Sequence, residues 1–175
     1  MRLAVNGAAG AMGRRIIALA SEASDIQIVA AVDRKGHSDL GEDAGTLSGI
    51  GALDVPLSSE LSGEADVVVD FSAPVATLDM ARVCVDQGVG LVVGTTGLSE
   101  EQVRHLGKDV AESIPILLAP NMSLGVNVVF GIACRIARAL PASYDIEIVE
   151  THHRRKKDAP SGTAREIARR LREAL

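Results

Sequence analysis

Residues 3–33 read LAVNGAAGAMGRRIIALASEASDIQIVAAVD, and this stretch decides the fold. Leu3–Asn6 is a short apolar run suited to a buried strand. Gly7-Ala8-Ala9-Gly10-Ala11-Met12-Gly13 is a glycine-rich turn. Arg14–Ala23 has helical spacing through Ile16, Ile17, Leu19 and Ala20, and Ile26–Val32 is a second strand ending at Asp33. A strand, a tight turn, a helix and another strand in this span form one βαβ unit. The glycines stand at G-x-x-G-x-x-G spacing (Gly7, Gly10, Gly13), a variant of the usual G-x-G-x-x-G. Such a turn lets the backbone approach a pyrophosphate, whose charge the free N–H groups and the helix dipole stabilise. Asp33 follows Gly13 by 20 residues, where a carboxylate accepts hydrogen bonds from the hydroxyls of an adenosine ribose. Arg34 and Lys35 come next and can pair with a 2′-phosphate. The carboxylate favours NAD and the cations favour NADP, so use of both is expected. Taken singly, a structural glycine turn and a strand-end Asp that caps a turn are plainer readings; together the two features point to dinucleotide binding.

The same alternation continues. Residues 34–64 read as loop with one short helix and strand. Asp66–Phe71 is a third clear strand, and Pro74 opens a helix expected to run to Gln87 and stop at Gly88. Leu91–Val93 leads into Gly94-Thr95-Thr96-Gly97. Ser99 and Gln102 form a capping-box pattern for a helix to about Ser113, and Ile116–Ala119 ends at Pro120-Asn121. Strands alternating with helices imply a parallel sheet wound on both faces. Phe71-Ser72, Gly94–Gly97 and Ala119–Asn121 all fall at C-terminal strand ends, the edge where open α/β sheets hold ligands. From Ser123 the character changes. A helix of about 16 residues, a turn at Pro141, a strand Ile146–Glu150, a polar loop and a last helix from Ser161 are expected. The fold class is thus α/β, a Rossmann-type doubly wound parallel sheet over residues 1–122, followed at 123–175 by the start of a smaller α+β substrate domain.

The 175 residues are 47% hydrophobic and 23% charged, a globular composition that excludes a disordered or fibrous chain. Phe71, Phe130 and Tyr144 are the only aromatics, so Ala, Val, Leu and Ile must do the packing. The net charge of −5 hides a split: residues 1–150 carry 10 Lys/Arg against 20 Asp/Glu, and residues 151–175 carry 8 against 3. A basic end on an acidic body suggests an anionic ligand there. Cys84 and Cys134 stand in apolar surroundings without ligand spacing and read as buried, reduced thiols of a cytosolic protein. The N-terminus runs directly into a strand, and no apolar segment reaches the ~18 residues of a membrane span.

The most specific segment is Glu150-Thr-His-His-Arg-Arg-Lys-Lys-Asp-Ala-Pro-Ser-Gly-Thr-Ala164. Ser161-Gly162-Thr163 opens a helix with free N–H groups and two hydroxyls, an anion site suited to carboxylate or phosphate. His152, His153, Lys156 and Lys157 can supply a proton near neutral pH and positive charge for a developing anion. A solvated basic run is the bland alternative. The paired histidines find no thiol or carboxylate to complete a metal site, so no metal is expected. Nucleic acid is not expected either, since almost no aromatics are present to stack bases.

Together, Gly-Ala-Ala-Gly-Ala-Met-Gly, Val-Asp-Phe-Ser, Val-Val-Gly-Thr-Thr-Gly, Ala-Pro-Asn-Met-Ser-Leu-Gly-Val-Asn and the His-His…Ser-Gly-Thr string resemble the 4-hydroxy-tetrahydrodipicolinate reductase (dihydrodipicolinate reductase) family. The motifs span residues 3 to about 165 in family order. The resemblance implies hydride transfer from NADPH or NADH to a small dicarboxylate heterocycle, 4-hydroxy-tetrahydrodipicolinate, in the diaminopimelate route to lysine. By motif position it makes His152 the proton donor and Lys156 its catalytic partner. It puts His153, Ser161, Gly162, Thr163 and Thr96 at the substrate. Gly7, Gly10, Ala11, Met12, Gly13, Asp33, Arg34, Phe71, Gly94, Thr95, Thr96, Pro120, Asn121 and Met122 fall on the cofactor side. It further implies a cytoplasmic homotetramer and a longer chain, with a mixed sheet beyond the Ser-Gly-Thr helix. The sequence ends at Leu175 and so reads as C-terminally shortened, which would leave the apolar surface of 124–139 and 146–150 without its partner layer. Two other readings stay open: a shortened, inactive NAD(P)-binding module, and another small-substrate NAD(P) dehydrogenase.

Overall fold

Short runs of Val, Ile, Leu and Ala become the strands β1 (Arg2–Asn6), β2 (Gln27–Val32), β3 (Leu57–Ser58), β4 (Val67–Asp70), β5 (Gly90–Val93) and β6 (Ile116–Leu118). They pair in the order β3-β2-β1-β4-β5-β6 with every ladder parallel. The computed structural model describes residues 1–141, 143–152, 154 and 159–175. It divides into two units, Met1–Ala119 and Pro120–Leu175.

Parallel strands need crossover helices, and these cover both faces of the sheet. Leu3 and Val5 of β1 pack with α1 (Ala11–Ser21) and α2 (Ala44–Ser48) through Ile17, Ala20 and Ala44. Ala4, Val68, Leu91 and Val93 face α3 (Pro74–Gln87) and the segment after α4 (Glu100–His105), through Met80, Ala81, Cys84, Leu106 and Val110. Ile17 and Leu91 are wholly buried, each worth about 1.5–3 kcal/mol of burial. The register slips once: Leu3 pairs Ile28 but Ala4 pairs Ala30. Val29 is the extra residue of this bulge, which is why Val29 and Ala30 pack on the same side.

Local structure departs from the pattern reading in three places. The helix expected from Arg14 begins at Ala11, because the turn closes after Gly7 and Gly10 and leaves Gly13 inside the helix. The helix expected over 99–113 starts with a full capping box between Ser99 and Gln102 but keeps α geometry only to His105. It continues as a wider π turn, Leu106–Val110, where Gly107 weakens the α-helix and Leu106 and Val110 are both buried. In the second unit, α5 (Leu124–Ala139) and α6 (Gly162–Ala174) form as expected, capped by Ser123 and Ser161. The strand expected at Ile146–Glu150 does not form, and no strand is present among the described residues of this unit. A strand needs a ladder partner for its N–H and C=O groups, and none occurs among the described residues of this unit. Val149 is 87% exposed.

The second unit closes on Phe130, Ala137 and Leu171, with the Arg170 guanidinium 5.1 Å from the Phe130 ring centre. The opposite face of α5 is open, with Leu124, Val128, Val129, Ile132 and Ile136 exposed. Cys84 is buried, but Cys134 is only half-buried, contrary to expectation. It lines an open groove between α5 and α6. Among the described residues no helix is long and apolar enough to cross a membrane.

Candidate active site

Strand order reverses between β1 and β4, and the crevice beyond their C-terminal ends is the ligand position of open α/β sheets. The three glycines line it in different ways. Gly7 has φ +76° and a Cβ there would strike the Phe71 carbonyl group, so only glycine permits both the turn and the approach of the β4 loop. The N–H groups of Gly7 and Ala8 donate to the Val32 carbonyl at 2.9 and 3.0 Å. Gly13 presses α1 onto the turn: a Cβ would overlap the Gly7 carbonyl oxygen and Ala8 backbone. Gly10 is the N-cap of α1, exposed and without a side chain to cap. The N–H groups of Ala11, Met12 and Gly13 precede the first helical bond, from Arg14 N–H to the Gly10 carbonyl at 3.0 Å. No acidic residue occupies the first turn, which leaves the positive helix end free for an anion.

Asp33 is tied to the same turn. Its Oδ2 accepts the Ala9 N–H at 3.0 Å and its Oδ1 the Arg34 N–H at 2.8 Å. Each carboxylate oxygen keeps further acceptor capacity. Arg34 is exposed, and Lys35 lies 3.5 Å from Glu60. Gly94 is fixed by Phe71, whose ring fills the space a Cβ would take. Thr96 is exposed after β5, whereas Thr95 is buried and turns its hydroxyl inward.

That hydroxyl enters a buried network that pattern reading did not single out. Asp70 is wholly buried at the end of β4. Its Oδ1 accepts from Asn6 Nδ2 (3.3 Å), Ser72 N–H (3.0 Å), Ser72 Oγ (2.6 Å) and Thr95 Oγ1 (3.2 Å). Oδ2 has no partner. The network joins the ends of β1, β4 and β5, so it sets the shape of the crevice rim. Burial, with Asp70 nearby, pushes the Cys84 thiol up to about 12. The available signal was an Asn and an Asp closing two otherwise apolar strands.

In the second unit, Ser161 caps α6 by accepting the Ala164 N–H at 3.0 Å, and Thr163 Oγ1 accepts from Asn121 Nδ2 at 3.0 Å. A cofactor-side candidate and a substrate-side candidate are thus bonded to each other. Glu150 was not predicted, yet it gathers this region. Its Oε1 accepts the Ser161 N–H (2.8 Å), and its Oε2 accepts the Ser161 hydroxyl (2.5 Å) and lies 2.8 Å from His152 Nε2. The Ser161 hydroxyl and N–H, then His152, hold its carboxyl at about 2, below the usual 4.5. Pro120 and Met122 are exposed, Gly162 is the first residue of α6, and His153 and Lys156 lie outside the described residues. Part of the basic excess is neutralised within α6, where Arg169 pairs with Glu166 and Glu173, and Arg170 with Glu166. No group of three or more His, Cys, Asp or Glu that could hold a metal occurs among the described residues.

Comparison with known proteins accounts for both units. The family model described as dihydrodipicolinate reductase, N-terminus, matches residues 1–122, and that described as dihydrodipicolinate reductase, C-terminus, matches 125–175. A 4-hydroxy-tetrahydrodipicolinate reductase of Alkalilimnicola ehrlichii is 47% identical over 177 residues, covering 99% of this chain and 66% of its own length. That of Citrifermentans bemidjiense is 46% identical over 167 residues, covering 94% and 62%. The solved structure of dipicolinate-bound dihydrodipicolinate reductase from Paenisporosarcina sp. TG-14 superposes with a TM-score of 0.75 at 29% identity, over 99% of this chain and 66% of that one. The chain therefore spans a little under two thirds of the length of these relatives. Matches that run through the glycine turn and on through the Ser-Gly-Thr helix place it in the 4-hydroxy-tetrahydrodipicolinate reductase (dihydrodipicolinate reductase) family.

Proposed function

We propose that this chain carries the cofactor and proton-donor parts of a reductase that converts 4-hydroxy-tetrahydrodipicolinate to tetrahydrodipicolinate with NADPH or NADH, in the diaminopimelate route to lysine. The observation that supports it best is the combination of a glycine cradle that no side chain can enter with a second unit where His152 stands beside a helix N-terminus. The cradle fits a dinucleotide: Gly7 and Gly13 leave room for backbone only, the α1 N–H groups suit a pyrophosphate, and Asp33 suits a ribose. When bound, the reduced nicotinamide supplies the hydride. Arg34, exposed next to Asp33, suits the extra phosphate of NADPH.

In the second unit the N-terminus of α6, with Gly162 and Thr163 at its start, suits one carboxylate of a small dicarboxylate heterocycle. His152 is the proposed proton donor, Lys156 its partner, and His153 and Thr96 further substrate contacts. The proposed setting is the cytoplasm, which suits the free Cys84 and Cys134. The proposed assembly is a homotetramer, for which the open apolar face of α5 is available surface.

The test removes His152 and Lys156 together by alanine substitution. A positioned general acid contributes roughly 10²–10⁴-fold, so kcat should fall by at least that much while NADPH affinity is unchanged. Undiminished turnover in the double variant would remove the assignment.

A further inference from the structure

We infer that Glu150 is a positioning residue for His152: it takes the hydrogen on Nε2 and so leaves Nδ1 as the ring nitrogen that exchanges a proton with substrate. The inference rests on the reading of His152 as proton donor. The geometry that carries it is local. Glu150 Oε2 lies 2.8 Å from His152 Nε2, and the same carboxylate is locked to the start of α6 by the Ser161 N–H and hydroxyl. Ser161 is itself buried, and its hydroxyl also caps the helix at Ala164 N–H. The imidazole is thereby tethered to the helix end through one side chain.

An ionised carboxylate only accepts hydrogen bonds. Glu150 is ionised at neutral pH, since its three donors favour the charged form. The nitrogen facing it must therefore carry hydrogen, which selects the Nε2–H tautomer of the neutral ring. In the imidazolium both nitrogens carry hydrogen. When Nδ1–H passes its proton to substrate, the ring is left as the Nε2–H form, still bonded to Glu150, and solvent restores the lost proton. No rearrangement of the Glu150 bond is needed in either state. An orienting carboxylate behind a catalytic imidazole acts in this way in other folds.

Glu150 also holds the helix cap, so a purely structural role must be separated from a positioning one. Nitrogen-15 spectra of the imidazoles, followed upward in pH until they stop changing, report the tautomer of the neutral ring directly. The His152 signals are identified by their loss in His152→Gln. The expected wild-type spectrum has a protonated Nε2 and a bare Nδ1. Ser161→Ala, which removes the hydroxyl bond but keeps the acceptor for His152, should leave that pattern intact. Glu150→Ala should give a mixture of tautomers. A bare Nε2 in the wild type, or an unchanged tautomer in Glu150→Ala, would overturn the inference, and the wild-type spectrum alone can do so if the variant does not fold.

The kinetic arm is separate. Glu150→Ala should lower kcat by roughly tenfold or more, with the KM for NADPH unchanged, and an unchanged kcat would count against positioning. If the wild type shows no substrate-dependent NADPH oxidation, the proposed reduction fails, while the spectra still decide whether Glu150 sets the ring.

Discussion

Replacing Gly13 with alanine sets two effects of opposite sign against each other. Gly13 lies inside the first turn of α1, and alanine is the better helix former by about 1 kcal/mol. The new Cβ, however, would overlap the Gly7 carbonyl oxygen and the Ala8 Cα and carbonyl carbon, all of them backbone. Overpacking of this kind costs about 1–3 kcal/mol. The turn cannot yield freely, because Gly7 and Ala8 are both bonded to the Val32 carbonyl, and stretching one such bond costs about 1 kcal/mol more. The net expectation is a destabilisation of about 1–3 kcal/mol, or roughly 3–15 °C in Tm for a unit of this size. Gly131, in the middle of α5, is the internal control. Nothing lies within 4 Å of a Cβ added there, so Gly131→Ala should stabilise by up to about 1 kcal/mol. The chain has no Trp and one Tyr, which makes far-ultraviolet circular dichroism the suitable probe of unfolding. NADPH titration of Gly13→Ala should show weaker binding as the turn shifts. If Gly13→Ala proved as stable as the wild type or more so, helix propensity would outweigh the contact, and the close packing of α1 on the glycine turn would be refuted.

Three further outcomes are expected. Asp33→Ala removes both the proposed ribose acceptor and the Ala9 anchor, and should raise the Kd for NADH by roughly 10- to 100-fold in calorimetry, since bonds to a charged group are worth about 1.5–3 kcal/mol; an unchanged Kd would place the ribose elsewhere. Glu150 has a depressed folded value, about 2 against 4.5, so its contribution to stability is complete above pH 4.5 and is lost as the pH falls from there through about 2. Thermal unfolding followed across that window should therefore fall more steeply with acid in the wild type than in Glu150→Gln, and equal slopes would contradict the bonding described. Cys84 is buried and its thiol is raised to about 12, whereas Cys134 is half-buried, so iodoacetamide at neutral pH should label Cys134 first by mass spectrometry, and prior labelling of Cys84 would contradict the packing of α3.

Where local pattern and tertiary context agree, the sequence was enough. Leu3–Asp33 announced its strand, turn, helix and strand because buried parallel strands are continuous apolar runs and the glycines have nowhere else to belong. Gly88 and the Ser99/Gln102 box marked helix ends through backbone chemistry that acts within a few residues. Features that depend on distant partners were not legible. Ile146–Glu150 has strand alternation, but a ladder requires a neighbour that the pattern cannot supply. Gly107 and the burial of Leu106 and Val110 turned the end of one helix into a π turn. The same holds for the sites. The position of Asp33 at the end of β2, beside the glycine turn, could be read from spacing, whereas the Asp70 network joins residues 6, 70, 72 and 95 across three strands. Glu150 meets Ser161 eleven positions away, a pairing that depends on tertiary structure and not on local pattern.

The central claim is tested most directly by adding NADPH to the protein with and without freshly generated 4-hydroxy-tetrahydrodipicolinate and following the loss of reduced-nicotinamide absorbance. The account predicts oxidation that depends on the heterocycle and saturates with both reactants. NADPH binding without oxidation at any protein concentration would contradict it in favour of a binding module, and oxidation driven instead by an amino-acid or semialdehyde substrate would assign a different dehydrogenase.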